Sequence, residues 1–453
     1  MRKIRIYAIL LVVVAFTACK KDDFKPHLGV DLEENELVFS FEGGEQSFTV
    51  DSNEEWFVSE TPNWINVIVS DIPSTRSAEL SYEKGIKEIT VQVKENPENK
   101  TRVSEVLLIS KSKNQLKIGI TQQKRPRLLG YWILSEGNMG KNDSEIAWFD
   151  IAKGEVSKKQ FKAINGKKLG DTGNSLKVYG SKMYIAVTGP GFGAGSEEGT
   201  NYVEVLDLKT GKSIKRLPFQ DKNGAPAKPR NIISEGGKLY ISSYSNEVVR
   251  LDTLSLELDG HAALSGTLAE GLTYYDGNIY VCNSGQGADN KISVVNVSTM
   301  TETKIITTAK NPTGIVSANN GILYFNTNYP EYALYKLNLS DDSINKIEDV
   351  NASDITYKNN KVYTCEFNWS LLQGSTNVID VLSGKASSID LDLEGAGISL
   401  LMEYHIGTIN NSNYLYLTGM GQDVVIFDPS TNKIVHAIQT GVANACGVVA
   451  VYE

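Results

Sequence analysis

Leu239-Tyr240-Ile241-Ser242, preceded by Gly236-Gly237 and followed by Val249-Arg250-Leu251-Asp252, is one copy of a pattern found seven times between Tyr131 and Tyr452. The other strand cores are Tyr131-Trp132-Ile133-Leu134, Met183-Tyr184-Ile185-Ala186, Ile279-Tyr280-Val281-Cys282, Leu323-Tyr324-Phe325-Asn326, Val362-Tyr363-Thr364-Cys365 and Leu415-Tyr416-Leu417-Thr418. Gly180-Ser181, Asp276-Gly277, Asn320-Gly321 and Asn359-Asn360 supply the turns in front of them. Short aromatic-bearing apolar runs between such turns read as strands. Repeats of this length, each a small antiparallel sheet, mark a β-propeller. The fold expected is therefore all-β, with a seven-bladed propeller as its larger part.

The second half of each repeat ends on an acid or amide: Asp150, Asp207, Asp252, Asn296, Asn338, Asp380 and Asp428. Each runs into a polar turn such as Leu208-Lys209-Thr210-Gly211. Asp or Asn there can bond backbone amides two residues on, so these side chains are expected to hold hairpins rather than to catalyse. The first repeat starts directly on its aromatic strand and lacks the strand that precedes the others. A spare one stands at the other terminus, Cys446-Gly447-Val448-Val449-Ala450-Val451-Tyr452. Pairing the two would remove an exposed edge, and this predicts a ring closed by the C-terminal strand.

Arg2, Lys3 and Arg5 precede an apolar run from Ile6 to Ala18, the length of a secretory signal core and too short to span a bilayer. The run ends Phe16-Thr17-Ala18-Cys19, which resembles a bacterial lipoprotein cleavage box. That resemblance implies a signal peptide over 1–18, lipid on Cys19, a tether over 19–34 and attachment to the outer membrane. Lys20-Lys21-Asp22-Asp23 resembles the charged tag that sends such lipoproteins to the cell surface. The alternative is an ordinary secreted signal with a chance cysteine. Loss of 1–18 removes three bases and no acids, taking the formal charge from −9 to −12. So acidic a chain argues against a nucleic-acid partner. Cys282, Cys365 and Cys446 fall in different repeats and are expected as buried free thiols.

Residues 35–124 carry a separate set of alternating strands, from Leu37-Val38-Phe39-Ser40-Phe41 to Leu116 through Gln122, and predict a small β-sandwich. The opening Phe39-Ser40-Phe41, Gly43-Gly44, the stretch Asp51-Ser52-Asn53-Glu54-Glu55-Trp56-Phe57, then Pro62-Asn63-Trp64-Ile65 and the closing Ile118-Gly119-Ile120-Thr121-Gln122-Gln123 resemble the BACON domain. That family is often found on surface glycan-handling proteins, with sugar-binding and spacer roles both proposed. Trp64, ahead of an Ile-x-Val strand, is read as core. Lys124-Arg125-Pro126-Arg127 reads as a short stiff linker, so 125–129 joins the sandwich to a propeller over 130–453. Gly130 through Asn138, Leu169-Gly170-Asp171-Thr172 and Val178 through Val187 resemble YVTN-type surface propellers of bacterial lipoproteins. Some of those relatives capture corrinoids outside a TonB-dependent transporter; this chain departs from them by carrying the sandwich in front.

In a propeller the loops between second and third strands gather on one face. Here they hold Asn138, Phe192, Tyr244, Asn283, Tyr329, Tyr332, Phe367 and Trp369. Aromatic planes interleaved with amides suit a sugar ring or a flat macrocycle, since stacking supplies area and amides supply direction. Tyr329, Tyr332, Phe367 and Trp369, from two neighbouring repeats, are expected to form one aromatic wall. The channel side adds Lys168, Asp171, Arg230, Glu270, Asn311 and Asp354, which can hold a charged ligand or pair with each other. Of these, Asp171 and Arg230 join the candidate ligand-binding residues.

Catalytic signals are poor. His27, His261, His405 and His436 show no metal-ligand spacing, so no metal and no cofactor are expected. No Gly-x-Ser-x-Gly elbow or phosphate loop occurs. The function expected is a non-catalytic surface lipoprotein that captures a corrinoid or glycan for an outer-membrane TonB-dependent transporter. Two alternatives stand: a surface hydrolase or lyase using channel acids such as Asp171 and Glu270, and a protein-interaction or adhesion module.

Overall fold

The computed structural model describes residues 24–69, 82, 84–191, 199–318 and 320–453. The signal-peptide and Cys19 readings lie outside these residues. The chain divides into two compact units, Met1–Arg127 and Leu128–Glu453.

In the first unit, Leu28–Val30, Gly44–Ser52, Gly85–Val93 and Ile65–Val69 form one sheet, in the order given. Glu36–Phe39, Gln115–Gln122, Arg102–Ser110 and Trp56–Val58 form a second. Leu28–Val30 lies in the stretch read as tether; three residues are too few to show an alternation. The longer strands alternate as β-structure requires: Val106, Leu108 and Ser110 point inward while Glu105, Leu107 and Ile109 do not. The inward faces of both sheets meet in one core around Phe39, Phe48, Trp56, Ile89, Leu108 and Ile120. Trp64 packs at its margin with the Arg102 guanidinium 4.3 Å above the ring.

Among its described residues, the second unit is a succession of seven four-stranded antiparallel sheets, a propeller-like architecture. The first strands of six are Gly173–Tyr179, Pro229–Glu235, Ala269–Tyr275, Pro312–Ser317, Asp354–Lys358 and Glu403–Thr408. Each of these contacts the first strand of the sheet that follows. In the remaining sheet that place is taken by Ala445–Tyr452, which pairs antiparallel with Leu128–Ser135 and contacts both Glu403–Thr408 and Gly173–Tyr179.

The repeated aromatic has a packing cause. Trp132, Tyr184, Tyr240, Tyr280, Tyr324 and Tyr363 each sit in the apolar cluster shared with the next sheet. Tyr416 does the same between the last sheet and the first, beside Ile133 and Val448. A large flat side chain fills the gap that twisted sheets leave where they stack face to face. The turn acids behave as their sequence position implies. Asp207 accepts the Thr210 amide at 2.8 Å, Asp380 that of Ser383 at 2.8 Å and Asp428 that of Ser430 at 2.8 Å. Asp150, Asp252, Asn296 and Asn338 make equivalent bonds. Hydroxyl and amide donors accordingly hold the Asp207, Asp380 and Asp428 carboxyls below their ordinary range. Cys282, Cys365 and Cys446 are buried free thiols. No helix among the described residues is long and apolar enough to cross a membrane.

Candidate functional site

Arg230 and Glu270 stand near the start of consecutive first strands, each two residues ahead of the aliphatic residue (Ile232, Leu272) that anchors its strand in the core. They pair, Arg230 Nε donating to Glu270 Oε2 at 2.8 Å. Arg230 Nη1 reaches Asn174 Oδ1 on the preceding sheet, and its guanidinium lies 5.4 Å from the Tyr244 ring centre. The other Glu270 oxygen accepts from Tyr244 Oη at 2.9 Å and Ser284 Oγ at 3.3 Å. Burial disfavours the charged guanidinium, but Glu270, with Tyr244 and Glu136, more than offsets it and keeps Arg230 cationic. Burial dominates at Tyr244 and pushes its phenol well up.

On two further first strands, Asp354 Oδ2 accepts the Ile406 amide at 3.1 Å and lies 3.2 Å from His405 Nδ1. His405 Nε2 is buried without a partner among the described residues, and the Tyr404 ring meets the imidazole edge-on at 4.4 Å. Glu136 begins the loop after Leu128–Ser135 and brings its carboxyl within the fields of Arg230, His405 and Glu270. Some water still reaches it, although protein surrounds it on most sides. Burial therefore raises its pKa, with Arg230 and His405 pulling the other way. Burial likewise pushes the Tyr404 phenol to about 12, helped by Glu136. The result is a polar mouth where the first strands converge.

Other residues singled out by sequence have different surroundings. Asp171 accepts the amides of Gly140 at 3.1 Å and Asn142 at 2.8 Å, fastening the loop that contains Asn138. Asn138 is exposed and its amide donates to Asp143 Oδ1 at 2.8 Å. Asn283 is fully buried, its Nδ2 donating to Ser293 Oγ at 2.9 Å and to the Val281 carbonyl at 3.2 Å. Phe192 lies outside the described residues. Tyr329, Tyr332 and Trp369 are exposed, while Phe367 is buried with its ring centre 5.0 Å from that of Trp369. The Ala352 amide donates to the Tyr332 carbonyl at 3.4 Å, tying the Tyr329/Tyr332 loop to the connection that leads into the sheet carrying Phe367. Arg230, Tyr244, Glu270 and Asp354 thus gather at the mouth.

Nothing in the sequence pattern alone singles out Glu136 or Tyr404 as mouth residues. Tyr404 shares only its register with Arg230 and Glu270, two residues before Ile406. Glu136 has no such cue, because its direction depends on how the first sheet meets the last. No cluster of three or more His, Cys, Asp or Glu suited to a metal occurs among the described residues. A separate cavity of about 310 Å³ is lined by Val178, Lys209, Asn410 and Tyr452 among others. One of its two lining amides is committed, Asn410 Nδ2 donating to the Ala450 carbonyl at 3.0 Å.

Residues 129–363 match a family described as "Domain of unknown function (DUF5074)". No curated protein matches the chain. Among solved structures, hydrazine synthase of Kuenenia stuttgartiensis is similar over 62% of this chain and 95% of its own, at 15% identity and a TM-score of 0.49. A quinonprotein alcohol dehydrogenase-like protein from Bacteroides thetaiotaomicron is similar over 93% and 98%, at 12% identity and a TM-score of 0.49. The WD40 domain of Neurospora crassa Pan2 is similar over 58% and 78%, at 11% identity and a TM-score of 0.44. Identities this low carry nothing about chemistry.

Proposed function

From the premise that the chain belongs to the family of DUF5074, a domain of unknown function, we propose a cell-surface lipoprotein that captures a small ligand without transforming it. In this reading the second unit is a seven-bladed propeller closed by its C-terminal strand. The first unit is a BACON-like sandwich that spaces the propeller from a lipid on Cys19. The ligand, a glycan or a corrinoid, rests over the channel mouth and passes to a TonB-dependent transporter.

One observation carries the capture reading. The Glu136 carboxyl, the Tyr404 hydroxyl and Arg230 Nη2 have no hydrogen-bond partner among the described residues, whereas around them Tyr244 and Ser284 are bonded to Glu270, and Asn174 and Glu270 to Arg230. One acceptor, one hydroxyl and one cationic donor held by a rigid ring suit a ligand that presents both donors and acceptors. Seclusion of His405 Nε2 favours a holding over a proton-transferring role for the Asp354–His405 pair.

Calorimetry of the purified chain against a panel of glycans and corrinoids tests the reading. Glu136→Gln and Tyr404→Phe are each expected to weaken binding about tenfold, the worth of one hydrogen bond to a polar ligand, with melting unchanged. Binding by neither class would end it. Anchoring is tested separately by protease shaving of intact cells. Cys19→Ala should abolish lipidation, and replacing Lys21, Asp22 and Asp23 with Ala should keep the lipid but lose surface exposure. Unchanged shaving of the second variant would remove the export-tag assignment.

A further inference from the structure

Trp369, Leu371 and Leu372 occupy the turn between Lys361–Asn368 and Gln373–Asp380, with 57%, 70% and 62% of their surface in water. Scattered exposed apolar residues are ordinary, but three large ones on a single four-residue turn are not. The turn is held in this form. Asn368 Oδ1 accepts the amides of Ser370 and Leu371, each at 3.0 Å. Trp369 is braced edge-on against buried Phe367 at 5.0 Å. Leu372 takes a left-handed φ of 51°, a position where Asn or Gly costs less. A solvated loop would gain from polar residues at every one of these places.

The charge around the tip is one-sided. The connections before and after this sheet, residues 348–353 and 390–402, carry Glu348, Asp349, Asp390, Asp392 and Glu394, all exposed, and no Lys or Arg. An anionic lipid surface would be repelled by such a flank, and a second copy would bring acid against acid. A basic partner would be steered in, and its apolar centre would cover the tip, the Trp-centred arrangement that dominates protein contacts.

We propose that this tip and its acidic flank are a docking surface for another protein that presents a basic amphipathic face. The inference concerns a protein contact and holds whether or not a ligand occupies the channel mouth.

The test uses the full chain and a synthetic Leu/Lys amphipathic helix of about 18 residues, with a Leu/Glu peptide of the same apolar pattern as control. Anisotropy should show binding of the Leu/Lys peptide alone. Affinity should fall about tenfold or more in Trp369→Ser/Leu371→Ser/Leu372→Ser. It should fall comparably in Asp390→Asn/Asp392→Asn/Glu394→Gln and at about 0.5 M salt, where exposed charges are screened. Melting curves of both variants should match the parent. The proposal is overturned if both peptides bind alike, if neither binds, or if the serine variant keeps full affinity. It is equally overturned if phosphatidylglycerol vesicles take up the tip in place of the peptide, or if sedimentation shows a dimer that the serine variant dissolves.

Discussion

Deleting residues 445–453 is expected to unfold the second unit rather than fray its end. Seven residues of Ala445–Tyr452 are buried, and they feed two apolar clusters at once. Cys446, Val449 and Val451 pack with Trp132, Met183 and Ile185, while Ala445, Val448 and Ala450 pack with Ile133, Val424 and Ile426. Removing three buried valines alone forfeits about 5–9 kcal/mol, at about 1.5–3 kcal/mol each. That rivals the roughly 5–15 kcal/mol that separates a folded domain from its unfolded chain. The deletion also bares the Leu128–Ser135 edge, an invitation to aggregate. Circular dichroism should show loss of the cooperative transition. A truncated chain that melts like the parent would show that the last strand does not complete the first sheet.

The second large effect lies at Glu403, a residue with no sequence signal. It opens the first strand of the last sheet and reaches back to the preceding one, where Thr376 Oγ1 donates to its Oε2 at 2.8 Å. The approach is possible because residue 374 is glycine: a Cβ there would lie 2.5 Å from Glu403 Oε1. Burial, with Glu366 adding to it and Thr376 opposing, lifts the carboxyl from an ordinary 4.5 to about 7. A carboxyl with a raised folded-state pKa keeps its proton longer folded than unfolded. Its contribution is therefore greatest below the unfolded value of 4.5 and is lost as pH rises towards 7. The loss is of order 3 kcal/mol by linkage. Glu403→Gln, which still accepts from Thr376, is expected to stabilise the protein at pH 8 and to flatten its stability between pH 5 and 7.5. Denaturant melts across that range decide it, and parallel pH profiles for variant and parent would refute the assignment.

The strand pattern, the repeat, the turn-holding acids and the partner of the first strand were legible without coordinates. Each is a local signal: alternation in a strand, Asp or Asn two residues before an amide, an aromatic at fixed register. The pairing of Ala445–Tyr452 was legible because the first repeat was one strand short and the last had one over. The same local reading could not separate Asn283, folded inward onto Ser293 and the Val281 carbonyl, from Tyr244, which bonds Glu270 at the mouth. Both follow an apolar strand and both precede a loop. Which way each side chain turns depends on the twist of its strand and on the neighbour it meets. That neighbour is far away in sequence, as Arg230 is from Glu270 and Glu136 from Tyr404. The sequence by itself determined an all-β chain with seven repeats and a second strand-rich segment, because these rest on periodicity and turn chemistry. Only the tertiary structure decided which polar groups are paired, which face the mouth unpaired and which apolar groups stand in water, because those outcomes depend on strands brought together from opposite ends of the second unit.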